Sequence, residues 1–216
     1  MAGFNYKQRL NGLRSKHKLI GVYGMSSSGV TEFTKVAWGR GLTLMGDSHN
    51  LPVVPITLEL LKALKMTNEQ ALELSPTDIA DAIAANYDAY KIVIDSIFED
   101  RMNAISDRIR DLEHDSGLTD PIFIECSLTT TVKYDDLFDA VIRITRPESY
   151  GDSWWVDHTL REAREFKPSD DTSVGMLKNS DRLFRENKTT PTIAIHNDGD
   201  LEQFQQACGE VIDQLL

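Results

Sequence analysis

Residues 24–31, Gly-Met-Ser-Ser-Ser-Gly-Val-Thr, gather two glycines, three serines and a threonine in one short stretch. These residue types can hold a phosphate. Glycine lets the backbone approach an anion closely, amide groups at a helix start donate to its oxygens, and a hydroxyl can ligate a metal ion beside it. The spacing follows the pattern G-x-x-x-x-G-K-[ST], whose lysine neutralises the charge of the terminal phosphates. Gly24, Ser26, Ser27, Ser28, Gly29 and Thr31 keep the amides and hydroxyls of such a cradle, while Val30 stands where the lysine belongs. Phosphoryl transfer relies almost wholly on positioned positive charge. Three readings follow. The loop transfers phosphate with charge brought by Lys18, Lys35 or an arginine from elsewhere; it holds a nucleotide without turnover; or it is a plain strand-to-helix turn.

A phosphate cradle works only between a buried strand and a helix, and the flanking sequence supplies both. Leu19-Ile20-Gly21-Val22-Tyr23 suits a buried parallel strand, and Phe33, Val36, Ala37 and Arg40 recur at helical intervals before Gly41. Further apolar runs at Leu42–Met45, Ile122–Cys126, Ala140–Ile144 and Thr192–Ile195 read as strands, and Asp135–Phe138 as a helical turn. Thr57–Lys65 and Thr67–Leu74 read as helices, the second opened by a capping box, and Ser75-Pro76 starts another. From Ile79 to Leu112 an apolar stripe recurs every three or four residues. Unbroken, the helix carrying it would span about 55 Å, so a bend or a projecting helix is expected. The stripe is available either to the core or to a second chain. After Asp198-Gly199-Asp200, residues Leu201, Phe204, Cys208, Val211, Ile212 and Leu215 form one face of a closing helix. Strands separated by helices predict an α/β fold with a mostly parallel sheet covered on both sides.

Composition narrows the functions. The chain has 216 residues, a formal net charge of −11 and an isoelectric point near 4.9. Broad nucleic-acid binding needs many basic contacts and is disfavoured, whereas a small phosphorylated ligand needs only a local cationic pocket. No apolar run approaches membrane-spanning length. Met1–Lys18 is basic without an apolar core, unlike a secretory signal, and reads as a docked extension or a partner-binding arm. Cys126 and Cys208 lack metal-ligand spacing, which fits a reducing, cytoplasmic setting.

Three segments together resemble the P-loop nucleoside and deoxynucleoside monophosphate kinase group, with a degenerate Walker A loop. They are Lys18–Thr31, Ala140–Pro147 (AVIRITRP) and Ile193–Leu216, the last containing Ile195-His196-Asn197-Asp198-Gly199-Asp200-Leu201-Glu202. The likeness is to bacteriophage deoxynucleoside monophosphate kinases and, more distantly, to dephospho-CoA kinases; residues 46–120 match nothing in it. The resemblance implies a three-layer P-loop kinase domain over 18–216, following a basic extension over 1–17, with a long helical insertion over 46–120 and a helical lid over 148–190. It implies ATP-dependent phosphoryl transfer, with Mg²⁺, to a nucleoside monophosphate or modified nucleotide. The cytoplasm, or the host cytoplasm for a phage-encoded chain, is the implied setting.

Under that resemblance Arg146 sits at the lid entry. Arg161 and Arg164, at i and i+3, would clamp phosphate bidentately, as would Arg182 and Arg185. Asp47 in the tip Asp47–Asn50 would orient the acceptor hydroxyl or metal, and Glu125 with Thr31 would hold Mg²⁺. The plainer alternatives remain open. The lid arginines can pair with Glu162, Glu165, Asp181 and Glu186, and Trp154-Trp155 beside Tyr150 can pack on the core instead of stacking on a base. The rival to an active kinase is an inactive descendant that binds a nucleotide, or serves as a structural protein. It would engage a second copy or another partner through the 76–113 helix or the N-terminal arm.

Overall fold

The computed structural model describes residues 6–24, 28–45, 57–114, 117–125, 137–147, 170–186 and 191–216. Its described residues divide between two compact units, one of Met1–Leu51, Phe98–Pro147 and Asn187–Leu216 and one of Pro52–Ile97 and Glu148–Glu186.

The first unit is built on a parallel sheet. β1 (Leu19–Gly24), β2 (Leu44–Met45), β3 (Ile122–Glu125), β4 (Ala140–Thr145) and β5 (Ile193–His196) lie in the order β2-β3-β1-β4-β5. Every residue of β1 is buried, as a strand covered on both faces requires. Ile20, Val22, Phe123, Ile142, Ile144 and Ile195 share one apolar cluster with Phe33 and Ala37 of helix α2 (Val30–Gly39). Phe204, Cys208 and Ile212 of the closing helix α8 (Leu201–Leu215) complete it. Burial pushes the Cys208 thiol up to about 12, so it packs as an inert apolar group; Cys126 lies outside the described residues. Leu201, which periodicity places on the buried face of α8, is 58% exposed, since it sits at the first position beyond the Asp200 cap.

Beyond the amino end of β1, helix α1 (Tyr6–Arg14) packs Leu10 and Leu13 into the unit. Its basic residues and those just after it meet acids: Arg9 with Asp107 at 2.7 Å, Arg14 with Asp139 at 3.0 Å and Lys16 with Glu113 at 3.1 Å. His17 faces Glu113 and Asp120. The His17 hydrogen bond, and then Lys16, hold the Glu113 carboxyl below its usual range. Asp139 also accepts from the Leu19 amide at 2.8 Å, tying this corner to the head of β1.

The second unit is helical. α3 (Leu58–Leu64), α4 (Asn68–Glu73) and α5 (Pro76–Ala84) begin at Thr57, Thr67 and Ser75, each accepting an amide hydrogen bond, with full capping boxes at the last two. The apolar stripe does not ride one helix. Asn86 breaks it: its side-chain oxygen accepts from the amides of Asp88 and Ala89 at 3.1 Å, starting α6 (Tyr87–His114) afresh. Along the stripe Ile83, Tyr90, Ile94 and Ile97 of this unit are buried, as are Met102, Ile105 and Ile109, which belong to the first unit. Helix α7 (Asp170–Glu186) packs on α5 where Gly175 meets Ala84, and Asn179 donates to the Ala84 carbonyl at 2.9 Å. No helix among the described residues is long and apolar enough to cross a membrane.

The opposite face of β1 is as tightly filled. A Cβ on Gly21 would lie 2.8 Å from the Phe138 ring. Gly21→Val should therefore overpack the sheet and cost about 1–3 kcal/mol, read as a lower urea midpoint; an unchanged midpoint would show that Phe138 yields freely.

Candidate functional site

β1 ends at Gly24 on the carboxyl edge of the sheet's middle strand, and α2 begins six residues later at Val30. Gly29 caps α2 with φ 108° and ψ 14°, and no side chain bonds the cap. A left-handed residue followed by a helical one turns successive amides into a shared hollow. The first amides of α2 thus keep their donors and the positive end of the helix dipole. Met25, Ser26 and Ser27 lie outside the described residues.

Both glycines are sterically required. A Cβ on Gly24 would strike the Ser28 hydroxyl and approach the Ile144 carbonyl to 2.7 Å. One on Gly29 would lie 2.6 Å from the Phe204 ring and 3.0 Å from the Asn197 amide nitrogen. The chain therefore folds back on the strand end, with Ser28 fully buried over Gly24. Among the described residues the Ser28 hydroxyl has no hydrogen-bond partner. A buried orphan of this kind costs roughly 1–3 kcal/mol, and a phosphate oxygen would satisfy it.

Two candidates share this edge. Glu125 ends β3, half-buried, in register with Val22 of β1. Ile144 of β4 pairs with Gly24, so Arg146, two residues on, follows β4 at the same carboxyl edge; it is only 8% exposed and donates to the Pro147 carbonyl. Thr31 is exposed on the first turn of α2. Val30 is buried at 8% exposure in the apolar cluster, its Cγ2 2.8 Å from the place of a Gly24 Cβ. The lysine position is filled by a core residue packed against the end of β1.

The proposed substitutes for that lysine are elsewhere. Lys18 precedes β1 at the amino edge, about 20 Å of strand from the loop, and donates to the Leu215 carbonyl. Lys35 is paired with Glu32 at 2.6 Å. In the helical unit Arg182 bonds Glu186 at 2.8 Å and lies 3.9 Å from the centre of the Tyr87 ring, whose hydroxyl also donates to Glu186. This is the pairing that competes with a phosphate clamp. Asp47, Arg161, Arg164 and Trp154-Trp155 lie outside the described residues.

Sequence reasoning passed over Asn197. Its side chain donates to the Ser28 carbonyl at 2.8 Å and its backbone amide to the Thr145 carbonyl at 2.7 Å. Its neighbour His196 meets the Thr145 hydroxyl at 2.7 Å. The available signal was its place, directly after the last strand and within the segment Ile195–Glu202 that carried part of the resemblance.

This arrangement is the P-loop kinase fold. Dephospho-CoA kinase from Campylobacter jejuni superposes with a TM-score of 0.51 at 18% identity, over 91% of this chain and 96% of that one. The structure of TT1252 from Thermus thermophilus gives 0.49 at 16% identity, over 93% and 100%. No family model matches the chain, and no curated protein matches its sequence. The neighbour falls on the dephospho-CoA kinase side of the resemblance, not on the bacteriophage side. At this identity the likeness defines the fold.

Two glycines of one helical segment should behave oppositely. Gly29→Ala combines left-handed strain with the Phe204 clash and should cost more than about 2 kcal/mol. Gly39→Ala meets nothing within 4 Å and should be neutral or stabilising by up to about 1 kcal/mol. Urea unfolding of the two variants measures the contrast.

Proposed function

We propose that the protein is an ATP-dependent phosphotransferase acting on a nucleoside monophosphate, a deoxynucleoside monophosphate or a modified nucleotide. The observation that supports this most is the uncapped amino end of α2 at the carboxyl edge of the central strand, shaped by two glycines that admit no side chain. Amides from Gly29 onward would receive the polyphosphate, with the buried Arg146 guanidinium supplying positive charge that never titrates away. Thr31 and Glu125 are the residues that would hold Mg²⁺, which when bound neutralises phosphate oxygens. In a chain of net charge −11 that local balance is indispensable. Arg161, Arg164 and Asp47 keep the roles of phosphate clamp and acceptor-orienting carboxylate within this proposal. The bacteriophage type of the activity also belongs to it, resting on the sequence segments alone.

One observation favours the second reading, a nucleotide-binding protein without turnover. Val30 is a built part of the apolar cluster, so the loop is adapted to the absence of an ammonium group.

Calorimetric titration with ATP and Mg²⁺, alongside an assay of ADP release with several nucleoside monophosphates, separates the readings. Binding with release supports the kinase, and binding alone supports the inactive form. No binding at millimolar ATP ends both. Val30→Lys sharpens the result. Without nucleotide the ammonium must leave an apolar site, lowering stability by about 1–3 kcal/mol. With ATP it gains a phosphate partner, so the ATP-induced rise in Tm should exceed that of the native chain. An equal or smaller rise would place the phosphates somewhere other than beside residue 30.

A further inference from the structure

Resting on the phosphate-loop reading, we propose that Asn197 is the positioning residue that aims the Gly29 amide into the anion-binding hollow. The Asn197 side chain donates to the Ser28 carbonyl at 2.8 Å. A trans peptide is planar, with its C=O and N–H on opposite edges. Fixing the Ser28 carbonyl on the Asn197 side therefore turns the Gly29 N–H to the other side. The left-handed φ of 108° at Gly29 then brings the next amide round beside it.

The anchor is itself held. The Asn197 backbone amide donates to Thr145 at 2.7 Å, continuing the β4–β5 ladder by one more bond. The side-chain nitrogen also closes on Gly29, 3.0 Å from the place of its missing Cβ. The end of the sheet thereby sets the direction of a loop peptide that lies 169 residues away in sequence. The chemistry suits a carboxamide. It donates without bringing negative charge to a place that receives an anion, whereas aspartate would set a carboxylate against the Ser28 carbonyl and repel the ligand.

The test uses the full chain with sodium tripolyphosphate and ATP as probes. Each is titrated calorimetrically into the native protein, Asn197→Ala, Asn197→Asp and Thr192→Val. The last is a control that removes another hydrogen bond of the same strand pair, from the Val141 amide to the Thr192 hydroxyl at 3.0 Å. Asn197→Ala should weaken both probes about tenfold, and Asn197→Asp more. Thr192→Val should lower Tm while leaving affinity unchanged. In Asn197→Ala without ligand, the Gly29 amide resonance should shift and exchange faster with solvent. Should alanine not fold, Asn197→Gln keeps the carboxamide but displaces the donor by one methylene, and the same loss is expected. Native affinity in the folded Asn197 variants, or equal losses in Thr192→Val, would overturn the positioning role. A native chain that binds neither probe defeats the phosphate-loop reading itself, and the role of Asn197 falls with it.

Discussion

Where β1 gives way to α2, the backbone is held by contacts that leave no space for a side chain at Gly24 or Gly29. The rest of the candidate site depends on that steric constraint. Ser28 closes over the strand end because Gly24 lets its hydroxyl approach, and Phe204 packs against the loop because Gly29 has no Cβ. The helix that follows starts at a left-handed Gly29 without a side-chain cap, its first amides free of intrahelical acceptors. The parallel sheet makes the position useful, since its carboxyl edge also brings Glu125 and Arg146 to the strands on either side of β1.

Charge is distributed to match. The basic residues of the N-terminal region engage Asp107, Asp139 and Glu113 on their own unit, where exposed pairs contribute little each but together fix the first helix. At the loop the only described arginine of the edge is Arg146, nearly fully buried.

Much of the scaffold could be read from residues alone, because strands buried on both faces must be apolar throughout and α8 must hide one face. Leu19–Tyr23, Ala140–Ile144 and the caps at Thr67, Ser75 and Asp200 are cases where local chemistry and tertiary demand agree. Two features escaped for physical reasons. The break at Asn86 was hidden because the apolar period continues across it, although asparagine there is a ready helix cap. Asn197 escaped because its importance lies in a partner far away in the chain, which no local pattern encodes. Val30 reads in sequence as a lost lysine, and only burial reveals that it has become part of the packing.

The apolar plug at residue 30 also changes how the loop responds to its surroundings. An ammonium group discharges in alkaline solution and is open to acylating and carbonyl reagents, whereas amide dipoles and a guanidinium are not neutralised over that range. In the proposed cradle of valine, helix dipole and Arg146, the electrostatic character would persist well past the point where a lysine-based one fades.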